Sequence, residues 1–536
     1  MRSVRVANAG GYWGDDPDAV TQQVRGGPID YLTMDYLAEI TMVILQKMAA
    51  KDPTKGWATD VVPALAPVLP EVLERGIRVV TNAGGVNPQG CADALARAAA
   101  KLGLSPRIAV VSNSELDVAR LAPPHADTGA PFSEISGRVE ASYVYMGALA
   151  IVEALAAGAQ IVVCGRVVDA ALALGPLVFE HGWRWGDWDL LAAGVVAGHV
   201  IECGAQATGG NQTDWRSVPA LERVGYPIAE VTADGAVTVT KHPGTGGAVT
   251  RQSVVEQLLY EIGDPRAYAT PDVTADFTSI QLREESPDRV TLTGMRGAPP
   301  PQHLKAGISY AAGWKCAGTY LLGPPGARAK AEELARIFWA RDGTAYEETL
   351  TEALGRDEVF LRLAVRDASR DKVEAFSRRF ASYALSGPPG VTIPGGGRPP
   401  VQEVYGFWPA LVADGDPDLE AATRPLPSPA RTGRKWHGSL GELAFARSGD
   451  KGDKANIGVA ARGEDEYRIL ESVLTPELVR QVFREECRGE VLRYALPNLL
   501  AFNLILSRAL GGGGVVSLRS DPQGKLFAQR LLAHRV

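Results

Sequence analysis

Apolar positions in the first half of the chain fall into short runs separated by amphipathic stretches. Residues 4–7, 78–81, 107–112 and 160–164 are rich in branched apolar side chains and read as buried strands. Residues 31–48, 65–74 and 92–102 repeat apolar residues at helical spacing. This βαβα order predicts an α/β fold over 1–255, a mostly parallel, doubly wound sheet covered on both faces.

The rhythm changes at 256–411. Residues 274–282 and 289–293 read as a hairpin joined by Glu-Glu-Ser-Pro-Asp. A strand at 317–322, a helix at 327–341, a strand at 359–365, a helix at 372–383 and a strand at 401–408 follow, a smaller α+β unit. The Gly/Pro-rich stretch 386–400 is a lid or a covering loop. Residues 412–436 read as a linker. Beyond it, 437–536 form a further α+β domain, with strands at 441–446, 456–461 and 515–519 and helices at 476–486 and 524–534. The apolar stretch 498–510 fits either type.

Composition narrows the function classes. The net charge of −7 argues against a nucleic-acid groove, and the basic stretch Arg431–Lys435 reads as solvated linker. The five cysteines (91, 164, 203, 316 and 487) are odd in number and lack metal-ligand spacing, as in a reducing cytoplasm. No leader and no membrane-spanning run is read, so the expectation is a cytoplasmic protein without membrane association.

Several strand-like runs end in a small-residue turn carrying one polar side chain. They are Val4-Arg-Val-Ala-Asn8-Ala-Gly-Gly, Val79-Val-Thr-Asn82-Ala-Gly84-Gly85-Val-Asn87-Pro88 and Ile161-Val-Val-Cys-Gly-Arg166-Val-Val-Asp169. In parallel sheets, ligands bind beyond such strand ends. Asn8, Asn82 and Asn87 can hold a carbonyl oxygen, and the N–H groups at Gly84 and Gly85 can form an anion nest. The alternative there is an Asn-capped turn. Arg166 can grip a carboxylate or pair with Asp169. Asp35 and Glu39, four apart, would share a helix face and divide acid and base roles, or form a solvated face. His199 and Glu202, three apart, make a base steered by a carboxylate or a structural contact, with Gln206 beyond them. Cys203 is a nucleophile or a buried thiol. His242 opens the glycine turn His242-Pro-Gly-Thr-Gly-Gly247, which lacks the Walker ending. Ser448, Asp450 and Lys451 crowd the loop Ala446-Arg-Ser-Gly-Asp-Lys-Gly452, an anion-binding loop or a solvated hairpin turn. No GxGxxG follows a strand, no GxSxG occurs, and no metal set is recognisable, so no cofactor is required.

Taken in order, the 35–39, 81–88, 164–173, 202–210, 242–247 and 271–277 segments resemble the acyclic terpene utilisation protein A family. The segment 446–452 with Ala455-Asn-Ile-Gly458 resembles that family's ferredoxin-like C-terminal domain. Asp453-Lys454 departs from the small or acidic pair expected there. The resemblance implies bacterial breakdown of branched acyl-CoA thioesters beside a biotin-dependent acyl-CoA carboxylase, and it carries over no catalytic set.

The reading is therefore an enzyme acting on a branched acyl-CoA or carboxylic acid by hydration or dehydration, C–C lysis or thioester hydrolysis. CoA would enter as part of the substrate, and self-association is expected. Glu202, His199, Asp169 and Glu39 are the catalytic candidates. Asn8, Asn82, Gly84, Gly85, Asn87, Arg166, Gln206, His242, Ser448, Asp450 and Lys451 are the binding candidates. The rival is a non-catalytic acyl-CoA-binding or carboxylase-assembly subunit, which would lack converging carboxylates.

Overall fold

A computed structural model describes residues 3–112, 116–413 and 436–536. The apolar runs of the first half become strands β1 (Ser3–Asn8), β2 (Tyr31–Met34), β3 (Arg78–Gly85), β4 (Ile108–Val111) and, after an excursion β5 (Val139–Val144), β6 (Ile161–Gly165). In space β1-β2-β3-β6-β4 are parallel neighbours. Strands β7 (Ile228–Thr232) and β8 (Val237–Thr240) extend the β1 edge in antiparallel fashion. After β9 (Tyr268–Ala269) and β10 (Thr274–Asp276), the hairpin β11 (Gln281–Ser286) and β12 (Arg289–Thr293) completes a nine-stranded sheet. The expected mostly parallel sheet is therefore a mixed one, and it continues past residue 255. Short connections such as 233–236 and 287–288 cannot carry a parallel crossover, so these strands pair antiparallel.

The helix expected over 31–48 is corrected at its start. Tyr31, Leu32, Thr33 and Met34 are buried between β1 and β3, which makes them a strand. The helix Glu39–Lys51 follows only after a break. Asp35 thus lies in the loop beyond β2 and does not share a helix face with Glu39.

Beyond β13 (Arg296–Ala298), β14 (His303–Leu322) is a strand of 20 residues. Its first half lies between β5 and β18 (Val401–Ala413), while its second half also pairs with β16 (Val359–Asp367). A bulge at Gly313 (φ +89°) separates the two halves. Strand β15 (Glu348–Gly355) edges this sheet, and helices Ala327–Asp342 and Arg370–Phe380 cover it through Phe338, Phe376 and Phe380. Within 386–400 only β17 (Val391–Thr392) pairs with the sheet. Most of the expected linker, including Arg431–Lys435, lies outside the described residues.

The last domain is an antiparallel sheet, β19-β20-β22-β21, built from β19 (Ala444–Lys451), β20 (Lys454–Ala461), β21 (Val491–Leu496) and β22 (Ala501–Leu506). Helices Glu464–Val473, Pro476–Val482 and Phe527–Leu532 contribute to its core. The strand expected at 515–519 is a turn, because Gly511, Gly512 and Gly513 take φ of +67°, +90° and +89° and bend the chain. The domain packs closely on the first half. Phe445, Ala460, Leu496, Leu499 and Ala501 belong to the main core, and Asn503 Nδ2 donates to Ile262 O at 3.1 Å and Gly263 O at 2.6 Å. Among the described residues no helix is long and apolar enough to cross a membrane.

Candidate active site

The carboxyl ends of the parallel strands bring polar side chains to one edge. Asn8 ends β1, Asp35 follows β2, Asn82 lies near the end of β3, and Arg166 follows β6. The helix Trp188–Ile201 delivers His199 and, at its C-cap, Glu202. Close approach makes this convergence, since a Cβ on Gly198 would lie 2.6 Å from the Ala170 backbone. Asn8, Thr33, Asp35, Asp169, Gly198 and Glu202 line a cavity of about 10 Å³ there, room for one water, closed by Leu172, Ala173 and Ile201.

Each polar group is held. Asn82 Nδ2 donates to Asp35 Oδ1 at 2.6 Å, and Asn82 Oδ1 accepts from Tyr36 N at 2.8 Å. Asn8 Oδ1 accepts from Thr33 Oγ1 at 3.2 Å, and its Nδ2 donates to Gly10 O at 3.1 Å. Arg166, almost wholly buried, donates to Asp169 Oδ1 at 2.5 Å and lies over the Tyr145 ring at 4.4 Å. Burial works against its charge, but Asp169, Tyr145 and Glu39 together hold the Arg166 proton more firmly. His199 Nδ1 shares a hydrogen bond with Glu202 Oε1 at 3.1 Å. The imidazole packs on Tyr268 and Phe277, at centroid distances of 5.3 and 5.4 Å. Glu202 Oε2 is buried and has no hydrogen-bond partner among the described residues.

The electrostatics separate these groups. Burial, then the charges of Asp169 and Glu261, push the Glu202 carboxyl well above the usual range. Burial, then Asp169, do the same to Asp35, against the pull of Arg166 and Asn82. Burial, with Lys451 nearby, holds His199 down at about 4, so its ring is neutral near neutral pH.

A second tier lies around this cavity. Glu39 accepts from Tyr145 Oη at 2.8 Å and pairs with Lys305 of β14 at 3.3 Å. Both charged side chains keep about a third of their surface open, 34% for Glu39 and 38% for Lys305. Burial pushes the Glu39 carboxyl up, but Lys305 and Arg166 outweigh it and hold it at about 2. The β19–β20 hairpin of the last domain reaches this tier. Lys451 Nζ donates to Glu261 O at 2.7 Å, and its charge bears on Glu202 and His199. Desolvation by the surrounding protein and the charge of Lys305 lower the Lys451 ammonium, although the side chain is exposed. Asp450 is pushed up to about 7 by burial and by Glu261.

The structure brings Asn8, Asn82, Arg166, Asp169, His199, Glu202, Glu39, Asp450 and Lys451 into this region. Five expected binding residues stand apart. Gly84 is packed against Cys164 O and Pro88, and Gly85 against Leu45 with φ +54°, so neither offers an open nest. Asn87 caps the helix Pro88–Lys101 through Gly90 N and donates to Lys55 O at 2.8 Å. His242 packs on Gly26 and Gly27, with Nε2 2.9 Å from Gln23 O. Ser448 Oγ donates to Gly524 O at 2.6 Å and accepts from Ala528 N, inside its own domain. Gln206 lies on the 3-10 turn Gly204–Thr208, its Oε1 buried and unpartnered among the described residues. Burial and Glu202 push the Cys203 thiol up, which keeps it protonated. Sequence reasoning missed Tyr145, Lys305 and Glu261. Tyr143 and Tyr145, alternating in β5, were the one available signal; Lys305 sits in no motif.

Among the described residues, no group of three His, Cys, Asp or Glu side chains is arranged to hold a metal ion. The model of the acyclic terpene utilisation family protein AtuA matches residues 4–422, and the AtuA ferredoxin-like domain matches 438–536. The chain belongs to the AtuA family. The first match spans the carboxyl cluster with Glu39, Lys305 and Glu261, and the second spans the hairpin of Asp450 and Lys451. No curated protein matches the chain. Among solved structures, the regulatory subunit of aspartate kinase from Thermus thermophilus is similar at 11% identity and a TM-score of 0.12, over 38% of this chain and 87% of that one. E. coli aspartokinase III in complex with aspartate and ADP is similar at 10% identity and a TM-score of 0.20, over 98% of each chain. At these scores neither bears on the fold or the function of this AtuA-family chain.

Proposed function

We propose that this protein is an acid–base enzyme that hydrates or dehydrates a branched carboxylic acid or its CoA thioester. The carrying observation is the Glu202–Asp169 pair. One is a buried carboxyl with an unpartnered oxygen beside the cavity, and the other is a carboxylate held by Arg166. Two carboxyl groups in different surroundings are how one site supplies both an acid and a base. In the dehydrating direction, Asp169 accepts a proton from the carbon next to the carbonyl. Glu202 delivers its proton to the departing hydroxyl, the C–O bond breaks, a C=C bond forms and water leaves. His199 positions Glu202 and does not touch substrate. Lys305 and Lys451 face the anionic end of the substrate, and Arg166 holds Asp169 in place.

Membership of a terpene-utilisation family favours branched, terpenoid-type acids as the substrate class. The protonated state of Cys203 disfavours a thiol nucleophile and with it covalent thioester hydrolysis. A purely binding subunit would have no use for the raised carboxyl of Glu202. The test incubates the full chain with a panel of hydroxy and unsaturated acids and their CoA thioesters, and follows gain or loss of water by mass spectrometry. Glu202→Gln should abolish turnover while substrate binding persists. Retained turnover in that variant would refute the reading.

A further inference from the structure

A second cavity of about 310 Å³ lies between the β14 sheet and the last domain. Lys315 of β14, Arg362 of β16 and Arg519 of the segment after β22 line it, with Gln402, Ser517 and Ser520, and the lining contains no Asp or Glu. The three cations hold the 509–518 segment only by its carbonyls. Lys315 Nζ donates to Val515 O at 2.6 Å, Arg362 Nε to Leu518 O at 3.2 Å, and Arg519 Nη1 to Ala509 O at 2.5 Å. Carbonyls orient these groups but do not neutralise them. The acids around the rim, Glu348 beside Lys315 and Glu352 opposite Arg362 across β15 and β16, have other partners as well. Glu348 pairs with Arg366 at 3.1 Å, and Glu352 accepts from Ser520 N at 3.1 Å. Arg362 uses Nε on the loop, which leaves its two Nη groups for a two-pronged contact. Three like charges gathered beside one cavity repel unless an anion joins them.

We propose that this cavity is a phosphate-binding site, filled either by the phosphates of a CoA-type substrate or by a separate phosphate ligand. The site does not depend on the acid–base reading of the carboxyl cavity, but it adjoins the hairpin that serves it. Asp453 in the hairpin turn accepts from Leu510 N at 3.1 Å and Gly512 N at 2.9 Å. Gly514, which lines the cavity, approaches Asp450. A bound phosphate would therefore brace the strand end that presents Lys451.

The test is calorimetric titration of the full chain with inorganic pyrophosphate and with CoA. Pyrophosphate should bind saturably and more weakly at high salt. Arg362→Gln should weaken it by about tenfold or more, as expected for a charge-assisted contact. Ser520→Asp, at an exposed position, should weaken it likewise without disturbing the fold. If CoA displaces pyrophosphate, the site holds the phosphates of the substrate. If CoA leaves pyrophosphate bound, the site serves a separate ligand. No pyrophosphate binding to the native protein, or equal affinity in both variants, would overturn the proposal. The readout is binding, so a failed turnover assay with Glu202→Gln would leave this result standing.

Discussion

Arg447 Nη2 of β19 lies 3.2 Å from Glu256 Oε2 on the helix Arg251–Leu258, and both side chains are almost wholly buried. Burial outweighs their attraction, raising the Glu256 carboxyl and lowering the Arg447 guanidinium, each towards its neutral form. Gln257 Oε1 and Gly210 O, both 3.1 Å away, also accept from Arg447. The pair fixes how the last domain docks. Removing one partner strands the other, so Glu256→Leu should cost about 3–5 kcal/mol. Replacing both by apolar residues of similar size should recover most of that loss. Urea denaturation of the single and double variants checks this, and equal losses in both would show that the pair itself stabilises.

In the proposed acid–base reading, Gly198 holds Glu202 close to Asp169. Its missing side chain lets the end of the helix touch Ala170, one residue past Asp169. Gly198→Ala should push Glu202 away from Asp169. A displacement of that order is expected to lower kcat about a hundredfold. Circular dichroism and kcat measured on the same preparation would separate lost geometry from lost fold.

His199 predicts a pH dependence of stability. Its pKa falls from 6.5 to about 4 on folding because the buried ring resists protonation. The unfolded chain therefore binds the extra proton first as pH drops. The stability owed to neutral His199 is complete above pH 6.5 and is lost as pH falls through about 4. The full shift corresponds to a loss on the order of 3 kcal/mol. His199→Phe, seated between Tyr268 and Phe277, should flatten the stability profile across that window when unfolding free energies are measured from pH 4 to 7.

Lys305 and Lys451 belong to different units yet bear on the same cleft. If they hold the anionic end of the substrate, Lys451→Met should raise KM about tenfold or more and change kcat little. A fall in kcat at unchanged KM would instead give Lys451 a part in the chemistry.

The strand ends were legible because buried parallel strands write themselves as apolar runs, and the polar residue closing each run marks the ligand edge. Asn8, Arg166 and Asp169 emerged that way. The Asn82-Ala-Gly84-Gly85 turn misled, since its glycines answer to Cys164 O and Leu45, contacts that no local pattern announces. Tyr31–Met34 misled for a similar reason. A four-residue strand followed by a helix merges into one apolar stretch until burial on both faces separates them. Lys305 was out of reach because it pairs with Glu39 across 266 positions of chain.

The hairpin that carries Lys451 also sets a timetable. On the ribosome, the residues around Glu202 and Asp169 emerge long before residue 451, and their cleft gains its last cation only when the final domain is made and docked. The carboxyl cluster is thus made without Lys451 and receives it only once the whole chain has been made and the last domain has docked.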